Sequence, residues 1–224
     1  MFLIFFVLLS NFLYDWVGHL YPVGSGFRLD FLFGGLDDAI PYVPEMLIFY
    51  LYLYTLMAAS TMVYFAFIEY RKGYALGWSL VVIGAVAVAL YVVFPVSVRM
   101  WHQDILSHPT LGDFWATQVR NMVADFTTSF NCFPSLHAAV STICFYTWYQ
   151  YNKVKANGAT KMVAIVAFVI AAGTILSTLF LKQHYIADEI AGIILAWGVG
   201  RPLFSHLWEP SKPARSLTNK KKGN

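Results

Sequence analysis

The sequence predicts an all-α polytopic membrane protein, a bundle of six transmembrane helices with a short interfacial helix before the fourth span. Three observations carry that reading. Of 224 residues, 58% are hydrophobic and 12% charged, whereas a soluble domain carries about 25% charged residues. A core of this length cannot hide so much apolar surface from water, which leaves the bilayer as solvent. The apolar residues are also gathered into runs near the ~20 residues needed to cross a membrane, and the basic residues fall unevenly on the two faces those runs define.

The first span is residues 2–20. Its opening, MFLIFFVLLSNFLYDWVG, lacks the leading Lys or Arg and the small-residue cleavage site of a secretory signal, so it is read as a retained span. The stretch PVGSGFRLDFLFGGLDDAIPYVPE is rich in Gly and Pro and reads as a loop. Span two, 44–68, opens at Pro44 and closes before Glu69, Tyr70, Arg71 and Lys72. Span three, 75–97, passes through a small-residue stretch to Phe94 and Pro95. About 35 residues follow, with apolar positions at Leu111, Phe114, Trp115, Val119, Met122, Val123 and Phe126. That spacing predicts an amphipathic helix, lying on the membrane surface or packed on the bundle. Spans four, five and six are 134–151, 161–181 and 185–207. Residues 1–209 form one membrane domain without an internal repeat. The polar, basic tail 210–224 is expected to be disordered.

With six spans, eleven of the fifteen Lys and Arg fall on the face holding the tail, among them Arg71, Lys72, Lys153, Lys155, Lys161 and Arg201. Arg28, Arg99, Arg120 and Lys182 fall on the other. Positive charge marks the cytoplasmic side, so both termini are expected there. A net charge of +3 without a basic, aromatic-interleaved stripe gives no sign of nucleic-acid binding. Cys132 and Cys144 are twelve residues apart, roughly 18 Å along a helix, too far for a disulfide.

This layout gathers Arg99, Ser135, His137, Lys182, His184 and Asp188 at the outer face. Ionisable groups at a membrane edge mark function. His184 and Asp188 are four apart and share a helical face. A carboxylate accepting one imidazole proton fixes the tautomer and frees the other nitrogen for attack, so His184 is the candidate nucleophile and Asp188 its orienting acid. His137 is the candidate acid for the leaving oxygen. Arg99, Lys182, Ser135 and the N–H groups near residues 135–137 would hold phosphoryl oxygens. Together these describe phosphoryl transfer through a phosphohistidine, with no cofactor and no metal.

The chain resembles the type 2 phosphatidic acid phosphatase superfamily of membrane lipid phosphatases and phosphotransferases. The family's Pro-Ser-Gly-His reads Pro134-Ser135-Leu136-His137 here, and its Ser-Arg, five residues, His, three residues, Asp reads Ser177-Thr178, then His184 and Asp188. The resemblance maps the nucleophile to His184, the orienting acid to Asp188 and the second histidine to His137. Leu136 replaces Gly and Thr178 replaces Arg. Of the family's first signature, Lys, six residues, Arg-Pro, only Arg99 remains, since Val92 and Met100 hold the other places. These departures are similar to the inositol phosphorylceramide synthase branch, which moves head groups between lipids. The resemblance therefore implies a lipid phosphatase, with head-group transfer to an alcohol as the alternative, acting in a bilayer on a membrane lipid phosphate. Small size and short loops fit a bacterial inner membrane.

Other readings compete. His137, His184 and Asp188 have the ligand types of a two-His, one-carboxylate metal centre, which Arg99 and Lys182 oppose. Asp37 and Asp38 read as a solvated acidic turn or as a magnesium pair. A transport path or a non-catalytic lipid-binding scaffold would also use intramembrane polar residues. Asn131, Tyr185 and Asp125 are possible substrate contacts. His19, His102, His108 and His206 read as loop or interfacial histidines, and Gly192 as a packing residue. Glu189 points about 100° from Asp188 around a helix and is left out of the catalytic set.

Overall fold

The computed structural model describes residues 16–17, 20–22, 25–107, 113–125 and 130–208. Apart from residues 16, 17 and 20, the first predicted span lies outside this set, as do residues 209–224. The described residues are mostly helical and form no strand. After a short turn, Leu36–Ala39, come α1 (Pro44–Phe67), α2 (Tyr70–Val93), α3 (Arg99–Ser107), α4 (Phe114–Asp125), α5 (Leu136–Lys155), α6 (Gly158–Phe180) and α7 (Ile186–Trp208).

Four of these, α1, α2, α6 and α7, are long and apolar enough to cross a membrane. Their outer faces carry exposed Leu56, Val63, Phe67, Val93, Phe168, Val169 and Ile194. Apolar surface on that scale belongs in lipid, and helices satisfy their own backbone polar groups there. The protein is an integral membrane protein. The fourth predicted span coincides with α5, which is long enough but richer in polar residues. Its Ser141, Thr142, Tyr146, Thr147 and Tyr151 are buried between neighbouring helices, not turned to lipid. The Thr147 hydroxyl bonds its own helix at Ile143, and the Trp148 indole donates to Thr61 on α1 at 2.9 Å. A helix enclosed by others can carry such groups where a lipid-facing one cannot.

Both ends of α2 differ from expectation. Helix α2 starts at Tyr70, so Arg71 and Lys72 lie in its first turn and not in a loop. It stops at Val93, because Pro95 lacks an N–H and disfavours helix at Phe94. Arg99 therefore begins the separate helix α3. Residues 108–112 are not described, and the predicted amphipathic helix appears as α4. Its Val119 and Val123 are buried against Leu47, Tyr50 and Leu181 of the bundle.

The antiparallel run of helices brings the start of α1, the end of α2, the start of α5, the end of α6 and the start of α7 to one end. Contacts tie that end together. The Val43 amide donates to the Phe180 carbonyl at 3.1 Å. The Tyr91 hydroxyl donates to the Pro134 carbonyl at 2.9 Å. Val96 bridges both Phe27 and Asn131. At the other end, Phe65, Trp148, Tyr151 and Trp208 form an aromatic cluster, with the Lys72 ammonium 4.6 Å from the Tyr151 ring and 4.8 Å from that of Trp208.

Candidate active site

The site is built where α6 stops and α7 starts. Helix α6 ends in a Schellman arrangement: the Lys182 amide donates to Leu179 O and the Gln183 amide to Thr178 O. This places Lys182 at φ 58°, a left-handed position usually held by glycine. The chain then turns through His184 into α7. The Asp188 side chain reaches back to the Tyr185 amide at 2.9 Å, closing the first turn, and the same Oδ2 lies 3.4 Å from His184 Nδ1. Asp188 is fully buried and His184 is 7% exposed. One short segment thus supplies an imidazole and fixes its orientation. Burial alone would lower the His184 pKa, but the hydrogen bond to Asp188 and the charges of Glu189 and Asp188 outweigh it and hold the ring above its ordinary value.

Helix α5 delivers the second imidazole. Ser135 is its N-cap, accepting from the Ala138 amide at 3.2 Å. His137 follows in the first turn, its ring centroid 5.9 Å from that of His184. Tyr50 stacks on His137 at 4.4 Å and Tyr54 lies at 4.8 Å. Tyr50 belongs to a π-helical turn, Ile48–Leu53, in α1, a local widening frequent at functional sites. The approach of α5 to α7 depends on Gly192, where an added Cβ would sit 2.3 Å from the Ser135 carbonyl oxygen.

His137, His184, Asp188 and Ser135 therefore converge. The cation positions are more dispersed. The Lys182 ammonium donates to the Asp37 carbonyl at 2.7 Å and lies 4.8 Å from the Trp101 ring centre. Burial lowers its pKa, against the pull of Asp38 and Asp37. Arg99 borders a cavity of about 250 Å³ with Ser25, Gly26, Arg28, Ser97, Met100 and Gln103. Tyr185 connects the two regions, its hydroxyl donating to the Ser97 carbonyl at 2.9 Å. Asn131 is buried beside Val96. Asp125 ends α4, and its side chain lies outside the described set. Of the amides near 135–137, that of Ser135 is committed to the Asp188 carbonyl at 3.0 Å. Those of Leu136 and His137, first in the helix, have no intrahelical acceptor.

The PAP2 superfamily model matches residues 35–200, which include every one of these elements from the Leu36–Ala39 turn to the middle of α7. The chain belongs to the PAP2 superfamily. No curated protein and no solved structure matches it. Membership brings phosphatase or phosphotransferase chemistry and lipid metabolism to an integral membrane protein, and the family's lipid substrate is at home in the same bilayer.

Several residues around this PAP2 site escape sequence reasoning. Glu189 is 3% exposed, its carboxylate turned to the Ser135 and Thr178 hydroxyls. Its neighbours are His184, Ser135, Thr178 and Asp188. Pointing away from Asp188 does not take it out of the site, because Ser135, the cap of α5, and Thr178, near the end of α6, both reach it. His102 is buried next to Gln183, and burial, then the charges of His184 and Arg99, lower it to about 4. Asp37 is not the solvated acid of an exposed turn. It is 1% exposed and accepts from the Ile186 amide at 2.7 Å, capping α7. Burial raises its pKa despite that bond. Asp38 accepts from the Trp101 indole at 3.1 Å. Only the Asp-Asp pair itself is legible in the sequence, with nothing nearby to indicate its partners.

Proposed function

We propose that this PAP2 protein hydrolyses a lipid phosphate monoester or pyrophosphate through a phosphohistidine on His184. The observation that carries the reading is the convergence of His184, oriented by buried Asp188, with His137 from another helix at 5.9 Å between rings. Asp188 faces Nδ1, so Nε2 is the attacking atom. It bonds to phosphorus as the bond to the lipid oxygen breaks, and His137 gives that oxygen its proton. The incoming phosphate supplies the negative charge that favours protonated His137. Water then attacks the phosphohistidine, His137 takes its proton, the P–N bond breaks and phosphate leaves.

The amides of Leu136 and His137, the Ser135 hydroxyl and the charges of Arg99 and Lys182 are assigned to the phosphoryl oxygens. Asn131, Tyr185 and Asp125 are assigned to the rim. The proposed topology has six spans, with α5 as the fourth and residues 2–20 as the first, both termini cytoplasmic and the site facing outward in a bacterial inner membrane. Helix α4 lies at that outer interface. Acid-sensitive, base-stable label retained on the protein after a brief incubation with a radiolabelled lipid phosphate tests the reading. Label on wild type and none on His184→Ala is expected. Equal label on His184→Ala, or a base-labile adduct, refutes it.

A further inference from the structure

Cys132, in the segment before α5, meets His184 and Asp188. The thiol, one ring nitrogen and one carboxylate oxygen all lie within 4.8 Å of one another. We propose that these three residues form an inhibitory site for a soft divalent cation, zinc or cadmium, which switches the protein off by occupying its nucleophile. The inhibitory consequence rests on His184 being that nucleophile; the metal site itself does not.

The geometry is close to what such an ion requires. Zinc bonds of about 2.0–2.3 Å in a tetrahedron separate neighbouring ligand atoms by about 3.3–3.6 Å. His184 Nδ1 and Asp188 Oδ2 already stand 3.4 Å apart, so closure requires the thiol side to move by about 1 Å. All three residues are buried, yet Cys132 and His184 keep 3% and 7% exposure. Among the described residues Asp188 Oδ1 has no hydrogen-bond partner, which offers a cation the second oxygen of that carboxylate.

The donor chemistry selects the ion. A sulfur, nitrogen and oxygen set suits zinc or cadmium, whereas magnesium and calcium prefer oxygen alone. The cations expected to repel a metal hold other partners while no phosphate is bound. Lys182 is bonded to the Asp37 carbonyl and lies over Trp101, and Arg99 borders the cavity with Arg28. Glu189, buried beside His184, adds a further carboxylate to the surroundings. On binding, the Cys132 thiol releases its proton to solvent and forms a sulfur–metal bond, with no change of oxidation state. The metal takes the lone pair of His184 Nδ1, the ring proton then sits on Nε2, and Nε2 has no lone pair left for phosphorus.

The test uses the full chain in detergent, stripped with EDTA and then freed of it. Cadmium is titrated while the ultraviolet thiolate-to-cadmium absorption is recorded. In parallel, phosphate release is measured against added zinc, each protein scaled to its own activity in EDTA. Wild type and Cys144→Ala should show the band, and Cys132→Ser and Cys132→Ala should not. The Cys132 variants should need at least about tenfold more zinc for half-inhibition. A band that persists without Cys132, equal zinc sensitivity of all four proteins, or activation by zinc overturns the proposal. If no phosphate is released from any lipid phosphate, the hydrolytic reading fails, and the cadmium band alone decides the metal site.

Discussion

The main-chain amide of Ser135 donates to the main-chain carbonyl of Asp188 at 3.0 Å. Asp188 therefore orients His184 with its side chain and holds the start of α5, with His137, by its backbone. The two imidazoles are set relative to each other by one residue. The contact exists because Gly192, one turn further along α7, leaves room for the Ser135 carbonyl. Gly192→Ala should force the helices apart at that point. A misplacement of about 1 Å can cost 10²-fold in rate, so kcat should fall by about that factor while the protein remains folded by circular dichroism. Wild-type kcat in Gly192→Ala would show that the spacing is not critical.

His137 is assigned to leaving-group protonation, and its effect should depend on the leaving group. His137→Asn should slow a lipid alkoxide leaving group by about 10²–10⁴-fold, the usual range for a positioned acid. A nitrophenyl phosphate, whose leaving group needs no proton, should be slowed far less. Equal slowing of both substrates would remove His137 from that role.

Glu189 should appear in the pH profile. The His184 ring must be neutral to attack, so kcat/KM falls as pH drops through its pKa. Burial lowers that pKa, and the Asp188 bond together with the Glu189 and Asp188 charges more than reverses this. Glu189→Gln removes one raising influence. The acidic limb of kcat/KM should move to lower pH. An unmoved limb, or movement to higher pH, would contradict the electrostatic role given to Glu189.

Lys182 combines a left-handed backbone, which costs about 1–2 kcal/mol outside glycine, with an ammonium bonded to Asp37 O. Lys182→Gly relieves the backbone and loses the charge; Lys182→Met keeps the strain and loses the charge. Both should raise KM for a lipid phosphate, and the Met variant should melt at the lower temperature. Unchanged KM in both would restrict Lys182 to holding the loop.

Asp37 caps α7 from a distant turn. Asp37→Ala should destabilise by about 0.5–2 kcal/mol, as for other lost caps, and lower the melting temperature by a few degrees. Asp37→Asn keeps an acceptor for the Ile186 amide and should recover most of the loss. Equal melting of Ala and Asn variants would show that the cap is not what stabilises the turn.

Much of this protein is written locally. Apolar runs mark α1, α2, α6 and α7, and the four-residue spacing of His184 and Asp188 on one turn is legible from residue order alone. The start of α5 is legible only approximately, since residue order opens the span at Pro134 whereas Ser135 is the cap and His137 lies in the first turn. What residue order does not show is which groups meet across helices. Glu189 points away from Asp188 by its helical angle, yet Ser135 and Thr178 from two other helix ends meet it. Cys132 reads only as a thiol too far from Cys144 for a disulfide, and the path of the segment before α5 brings it to His184. The π-helical turn that presents Tyr50 to His137 has no clear sequence signal. Asp37 needs tertiary contacts to become a cap, and α5 hides its polar face in a way that hydropathy reads as weakness.

The most direct test of the central claim is phosphate release from a panel of lipid phosphates in detergent with EDTA present, comparing wild type with His184→Ala. Release by wild type and none by a folded His184→Ala is the predicted result. Release by His184→Ala at the wild-type rate, or wild-type activity lost in EDTA and restored by added metal, would contradict a metal-independent histidine nucleophile.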